Sequence, residues 1–426
     1  MMVARCARLV SASLGKRRWL EMVLVHTADW HLSSQRSRLD SDTGLNARLM
    51  DFYRCARFTV EDGIAHGAQA ILHAGDAFHG CRPTPTEVRL FREAVGPALE
   101  AGVPVVLLLG NHDAPRSPVE RHALDLLRET KGLAVIDQPT LLFFEHLETE
   151  QRDFLRSCTA EQADLQVACL PWPNKQLLLA SEENRKLDPG QLNELVRERM
   201  MDCLRGLAAQ LVPDVPAVLL GHFSVDLAQA GGQNRLMMLG GEWTLNVHDL
   251  ATLPFCYFAL GHIHKPQMVG GLPHVWYCGS PEAVTFGEEG EDKGYLLVSL
   301  DPQGIGDVER ISTPSRRFVT IDLGDGAALP PVDELAGAIV RVRIPQANDV
   351  DFTMLRRDLE AAGVHEYQVE TQRAEAVRRR AVEVSSEMAL DEAIKAWLEQ
   401  RPDLKPMTEA LLAEAHEIER QLTEAA

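Results

Sequence analysis

The sequence of 426 residues offers little sulfur chemistry: its eight cysteines are scattered, and no two stand in a C-x-x-C pair. That usage belongs to a reducing cytosol, where thiols pack as small hydrophobes, rather than to a disulfide framework. No apolar stretch approaches the roughly 18 residues that a membrane-crossing helix needs. A cytoplasmic protein with no membrane partner is therefore expected. Positive charge is short as well, with 43 Lys and Arg against 62 Asp and Glu and a net charge of −19. Such a balance argues against gripping nucleic acid by a general basic surface. It leaves room for a nuclease, because bound divalent cations are themselves the largest local positive charges in such a site.

What is present is a discontinuous set of five polar motifs: Asp29-Trp30-His31, Gly75-Asp76, Gly110-Asn111-His112-Asp113, Gly221-His222 and Gly261-His262-Ile263-His264. Each closes a short apolar run that reads as a buried strand, from Val23-Leu24-Val25 before the first to Tyr257-Phe258-Ala259-Leu260 before the last. Polar groups at strand ends suit an α/β protein, in which ligands gather at the carboxyl ends of the strands. Asp29, His31, Asp76, Asn111, His222, His262 and His264 supply two carboxylates, one amide oxygen and four imidazoles. This mixed oxygen and nitrogen set, without a thiolate, spells a site for two cations. It suits manganese, iron or zinc better than magnesium or calcium. The spacing in Asp29-x-His31 and His262-x-His264 puts two side chains on one side of an extended segment. Glycines before the ligands let the backbone turn sharply and approach the metals closely. Any one of these residues reads equally well as a satisfied polar group at a strand end; five ordered motifs do not. His26 and His73 fall inside the strands and read as core histidines.

In this order the motifs resemble the calcineurin-like metallophosphoesterases, whose pattern is D-x-H, G-D, G-N-H-D or -E, G-H and G-H-x-H. Within them, Gly75-Asp76-Ala77-Phe78-His79, Phe258 to Gln267, Tyr277-Cys278-Gly279-Ser280-Pro281, Phe286-Gly287-Glu288 and Lys293-Gly294 look like the SbcD family of DNA repair nucleases. The likeness runs from about Val23 to about Leu323. It implies an α/β sandwich of two mixed sheets flanked by helices, with a small α/β capping domain and a C-terminal helix pair. It also implies that Asp29, His31 and His264 hold one divalent cation and Asn111, His222 and His262 the other, with Asp76 bridging and Mn2+ as the metal. The implied activity is exonucleolytic on double-stranded DNA ends and endonucleolytic on hairpins and single strands. A homodimer bound to the coiled-coil ATPase SbcC is implied as well.

His112, beside the candidate ligand Asn111, is placed to protonate the leaving oxygen, with Asp113 fixing its tautomer and raising its pKa. His79 is a candidate for binding or protonating the scissile phosphate, with a supporting role behind the ligands as the alternative. Two other readings of the chain stay open. A small-molecule phosphodiesterase or phosphatase would keep all seven ligands, although the protein-phosphatase hallmark G-D-x-V-D-R-G is replaced by Gly75-Asp76-Ala77-Phe78-His79-Gly80-Cys81. A mainly structural adaptor of an ATPase would not need them.

Four regions are expected. Residues 1–21 form a basic leader, read as an upstream start before Met22 or as a basic arm touching DNA. The metallophosphoesterase domain spans 22–314, with helices over 44–66, 83–100 and 191–211. Strands at Val275 to Cys278, Tyr295 to Leu300 and Val308 to Ile311 are expected to complete its second sheet. Residues 315–373 alternate like strand, strand, helix and strand, and hold no catalytic cluster, which suits capping and DNA recognition. A basic hinge of Arg373, Arg378, Arg379 and Arg380 opens the last region, 374–426, and leads to two amphipathic helices, the first with Leu390, Ile394, Trp397 and Leu398, the second with Leu411, Ala415, Ile418 and Leu422. A terminal pair with little else to pack on fits a partner's groove or coiled coil, here the ATPase, with folding back on the body as the alternative.

Overall fold

The computed structural model describes residues 21–115, 121–147, 153–174, 184–229, 243–301, 304–323, 329–345, 351–372, 391 and 408–424. The leader, the hinge and most of the first tail helix lie outside these residues. The chain divides into two compact units, one of Met1–Ile321, Pro330–Arg341 and Phe352–Gln368, the other of Asp322–Leu329, Val342–Asp351 and Val369–Ala426.

Strands β1 (Met22–Thr27), β2 (Ala70–His73), β3 (Val105–Leu108) and β4 (Leu133–Ile136) run parallel in the first sheet. The second sheet holds β5 (Thr140–Leu147), β6 (Phe154–Ser157), β7 (Leu165–Leu170), β8 (Ala217–His222), β11 (Tyr257–Gly261), β12 (Gln267–Met268) and β13 (Val275–Tyr277), in the order β12-β13-β11-β8-β7-β5-β6. Its middle strands β7, β8, β11 and β13 are parallel, and the strands outside them are antiparallel. Two short strands, β9 (Ser224–Val225) and β10 (Thr244–Leu245), pair beside them.

The period of two along each strand decides which core a side chain enters. Leu24, Leu72, Val106 and Leu108 face the second sheet, where they meet Val167, Cys169, Val218, Leu220 and Ala259. Their neighbours Val25, Ile71, Val105 and Leu107 face the other way, with Leu49, Phe52, Leu90 and Phe91 of the flanking helices. On the far side Leu219, Phe258 and Leu260 pack with Val196, Met200 and Leu204. The result is helix, sheet, sheet, helix.

The helices begin where local signals place them. In α1 (Ala47–Ala65) the Asn46 side chain accepts the Leu49 N–H. In α2 (Pro85–Glu100) Thr84 and Glu87 form a capping box, and Asp188 and Gln191 form another ahead of α3 (Pro189–Ala208).

One expectation is corrected. β13 does join the second sheet, but β14 (Gly294–Asp301) and β15 (Gly304–Ser312) close the first, in the order β15-β14-β1-β2-β3-β4. β14 lies antiparallel to β1, with Leu24 opposite Val298. Leu296, Val298 and Leu300 fill the core between the sheets, while Tyr295 and Leu297 pack on the helix side. A strand apolar on both faces carries no mark of the sheet it enters.

Further on, β16 (Phe318–Asp322), β17 (Ile339–Pro345) and β18 (Glu366–Gln372) form a three-stranded sheet in that order. Helix Phe352–Ala361 buries Leu355 and Leu359, and the second tail helix is formed as Thr408–Glu424. No helix of the described residues is long and apolar enough to cross a membrane.

Candidate metal centre

All five motifs leave the carboxyl ends of parallel strands: β1, β2 and β3 of one sheet, β8 and β11 of the other. The backbone there is strained. Six non-glycine residues among those described have positive φ, and four are candidate ligands: Asp29 (55°), His31 (46°), Asp76 (57°) and His262 (98°). Each such residue costs on the order of 1–3 kcal/mol and persists only where its surroundings over-determine it. Here the surroundings are cross-links between the loops: Asp29 N–H donates to the Gly75 carbonyl at 2.9 Å, and His31 N–H to the Asp76 carbonyl at 3.2 Å. The His262 N–H donates to both oxygens of Asp29, at 3.2 and 3.0 Å. Gly110 allows the closest approach, since a Cβ on it would lie 2.0 Å from Asp76 Oδ1.

The structure brings all seven candidate donors together. Nitrogen or oxygen atoms of Asp29, His31 and His264 lie within 4.8 Å of one another, and so do those of Asp29, Asp76 and His222. The Asn111 Oδ1 completes the second group, 2.9 Å from His222 Nε2 and 3.0 Å from His262 Nδ1. The rings are turned to face inward. His222 uses Nδ1 on the Ala74 carbonyl at 2.6 Å, and His264 uses Nδ1 on Glu288 Oε1 at 2.9 Å. That leaves the Nε2 of each as the inward atom, with His264 Nε2 3.0 Å from His31 Nε2. Outer hydrogen bonds of this kind fix the tautomer of a metal-binding histidine.

The electrostatics ask for cations. Asp29, His31, Asp76, His222, His262 and His264 are all buried. Burial works against charge on Asp76, yet His222, His112 and His31 outweigh it and hold the carboxyl well below its ordinary range. Burial also opposes charge on His222, but Asp76 and then Asp29 push it up to about 9. Burial together with His264 and His112 drives His31 well below the usual histidine range. Two buried carboxylates that favour positive charge on a neighbouring imidazole mark a place where positive charge is wanted. Facing lone pairs, paired carboxylates and an amide oxygen, with no thiol, fit two divalent cations of intermediate hardness.

His112 and His79 stand beside this cluster, both half-buried, with ring centres 5.1 Å apart. His31, His79 and His112 form a third group of nitrogens within 4.8 Å of one another. The bond expected between Asp113 and His112 is not made. His112 Nδ1 donates to the His79 carbonyl at 2.9 Å. The Asp113 carboxylate instead accepts the N–H groups of Ala77, Phe78 and Gly110 at 3.2, 3.1 and 3.2 Å. Burial and the neighbouring Asp76 push Asp113 up to about 7, against those three bonds. Neighbours in a turn point apart, and three buried amides need an acceptor more than one ring does.

Two contributors carried no signal of their own at the level of sequence. Trp172, in the stiff Pro171-Trp172-Pro173 turn, lays its ring against His262 at 5.3 Å and 31°. Glu288 stands in a block singled out by resemblance, with nothing to tie it to His264. His26 and His73 are core histidines, both fully buried. His26 bonds the Tyr257 hydroxyl at 2.8 Å, and His73 packs against Trp30 with ring centres 4.7 Å apart.

A model of the calcineurin-like phosphoesterase family matches residues 22–266. That is more than half of the chain, which belongs to this family. Its homologues include the SbcD component of the nuclease SbcCD of Escherichia coli (strain K12), 26% identical over 317 residues that cover 72% of each chain. The Bacillus subtilis (strain 168) protein of the same description is 27% identical over 290 residues, 66% of this chain and 67% of its own. That of Rhodobacter capsulatus is 26% identical over 337 residues, 76% of each. Among solved structures, a dimetal phosphatase from Danio rerio aligns with a TM-score of 0.35 and 10% identity, over 68% of this chain and 99% of its own.

Proposed function

We propose that the chain is a metal-dependent DNA nuclease, exonucleolytic on double-stranded ends and endonucleolytic on hairpins and single strands, working with an SbcC-type ATPase in DNA end processing and repair. The observation that carries this reading is the convergence of seven donors beside half-buried His112, in a chain whose homologues are components of a nuclease.

In this reading Asp29, His31 and His264 hold one cation, Asn111, His222 and His262 the other, and Asp76 lies between. Two divalent cations, Mn2+ by preference, supply charge on the phosphate oxygens and a clamp for in-line displacement when bound. The chain's own residues do the rest. Asp76 is tethered through the His112 N–H, 2.8 Å from its Oδ1, so the proton donor and the shared carboxylate move as one piece. With Nδ1 committed to the His79 carbonyl, His112 keeps Nε2 to carry the proton that the leaving oxygen takes. His79 lies on the same side and takes a phosphate oxygen. Asp113 pins the Asp76 loop to the Asn111 turn through its three amides.

In the same reading residues 22–314 are the nuclease domain, 315–373 serve capping and DNA recognition, and 374–426 supply the segment that binds the ATPase, in a homodimer. Cysteines that are free among the described residues support a cytoplasmic location in this reading.

The test is cleavage of end-labelled duplex and hairpin DNA with Mn2+, beside bis(p-nitrophenyl) phosphate, by the wild type and His112→Ser. We expect DNA to be degraded, and the variant to lose about 10²–10⁴-fold in rate while taking up Mn2+ as before. Hydrolysis of the small ester alone, with or without an SbcC-type partner and ATP, would overturn the nuclease assignment.

A further inference from the structure

The strand ends explain how six of the candidate ligands are held, but His264 has a support of its own. Glu288 sits in the short turn Phe286–Glu288, and only 2% of it is exposed, as is true of Lys293. Its Oε1 takes the His264 Nδ1–H at 2.9 Å. Its Oε2 accepts the Lys293 ammonium at 2.6 Å and the Val284 N–H at 3.2 Å. Lys293 in turn donates to the His264 carbonyl at 3.2 Å and to Glu291 Oε2 at 3.0 Å. Its three ammonium hydrogens therefore have three acceptors, and the carboxylate has three donors.

A buried ion pair of this kind is weak evidence for stability, because an apolar filling of the same volume is often as stable or more so. Its place around His264 is what needs a reason. The pair grips that residue twice, at the ring through Glu288 and at the main chain through Lys293. The ring of His222 is turned the same way by the Ala74 carbonyl, a neutral acceptor. His264, by contrast, is oriented by a charged side chain, and a carboxylate there makes the inward Nε2 a stronger electron donor.

We propose that Glu288 and Lys293 are a positioning pair for His264, setting the affinity of the cation held by Asp29, His31 and His264 and leaving the other cation unaffected. The inference rests on the two-cation reading above. Glu288 touches neither substrate nor cation; it acts through His264.

The experiment is titration of the metal-free full chain with Co2+, followed by its visible d–d absorption and by equilibrium dialysis, for the wild type, Glu288→Gln and the charge-free pair Glu288→Gln/Lys293→Met. The double variant guards against unfolding caused by a lysine buried without its partner, and circular dichroism checks each fold. The wild type should take up two Co2+. In the folded variants one should bind about 10–100-fold more weakly with an altered band, the other as in the wild type. Unchanged affinity at both positions would overturn the proposal, as would equal weakening at both, which marks general loosening. A wild type that binds fewer than two cations would overturn the two-cation reading and this one together. Selective loss of one cation in a chain that never cuts DNA would support the pair and sink only the nuclease assignment.

Discussion

An alanine at position 110 would put a methyl group inside Asp76. Built on the observed backbone, its Cβ lies 2.0 Å from Asp76 Oδ1, 2.3 Å from the Asp76 backbone nitrogen and 2.7 Å from its Cγ. Gly110 itself has no positive φ, so an L residue fits its backbone and the whole effect is the collision. Ordinary carbon contacts need about 3.5 Å, so something must move by roughly 1 Å or more. A side-chain rotation of Asp76 does not relieve it, because the backbone nitrogen is in the way as well. The carboxylate is further tied by the His112 N–H at 2.8 Å, so His112 would be displaced with it. Overpacking of this kind costs about 1–3 kcal/mol, and a misplacement of about 1 Å at reacting groups costs on the order of 10²-fold in rate. The assay is melting temperature, Mn2+ uptake by equilibrium dialysis and cleavage of end-labelled duplex for Gly110→Ala beside Gly96→Ala. Gly96 lies inside α2, where a Cβ meets nothing within 4 Å. That control should gain about 0.5–1 kcal/mol and cut like the wild type. If Gly110→Ala binds two Mn2+ with wild-type affinity and cuts at the wild-type rate, Asp76 is not the shared ligand.

Two predictions concern the body of the fold. Arg48 is 2% exposed and donates to Asp51 and Glu282 at 3.0 Å each and to the Ala283 carbonyl at 2.6 Å. Arg48→Met leaves Glu282 buried without its guanidinium partner and should cost about 3–5 kcal/mol, read from the urea midpoint. A loss within about 0.5 kcal/mol, as for a surface change, would remove the network from the account. Burial lowers His26 from 6.5 to about 3, against its bond to the Leu260 carbonyl. Between those values the unfolded chain binds a proton that the folded one does not. Stability should therefore rise with pH across that window, by up to about 1.4 kcal/mol per unit from this one group. His26→Gln should flatten the dependence by that amount, and an unchanged slope in urea midpoints from pH 4 to 6.5 would refute the reasoning.

The parts of this fold that were legible are those whose causes are local. A cap such as Thr84 with Glu87 is written within four residues, and a ligand at the end of a buried strand needs only the strand before it. The assignment of β14 to the first sheet was not, since Leu296 and Tyr295 alternate between two equally apolar environments. Neither was the stretch after Val135, because β5 is half-exposed along most of its length and offers no alternation. A period of two separates inside from outside; it cannot separate one inside from another.

The same limit governs the site. Seven donors were legible because each stands in a motif, yet what orients them comes from anywhere in the chain: a carbonyl at Ala74, an indole at Trp172, a carboxylate at Glu288. Asp113 makes the point from the other side. Adjacent in sequence to His112, it invites a dyad, but the folded chain places three amides of two different loops around its carboxylate. Had it served His112, the N–H groups of Ala77, Phe78 and Gly110 would be buried without acceptors, at about 1–3 kcal/mol each. Holding the loop of Asp76 to the turn of Asn111 is therefore the stronger claim on that residue, and the His112 ring is left to be oriented by the backbone of His79.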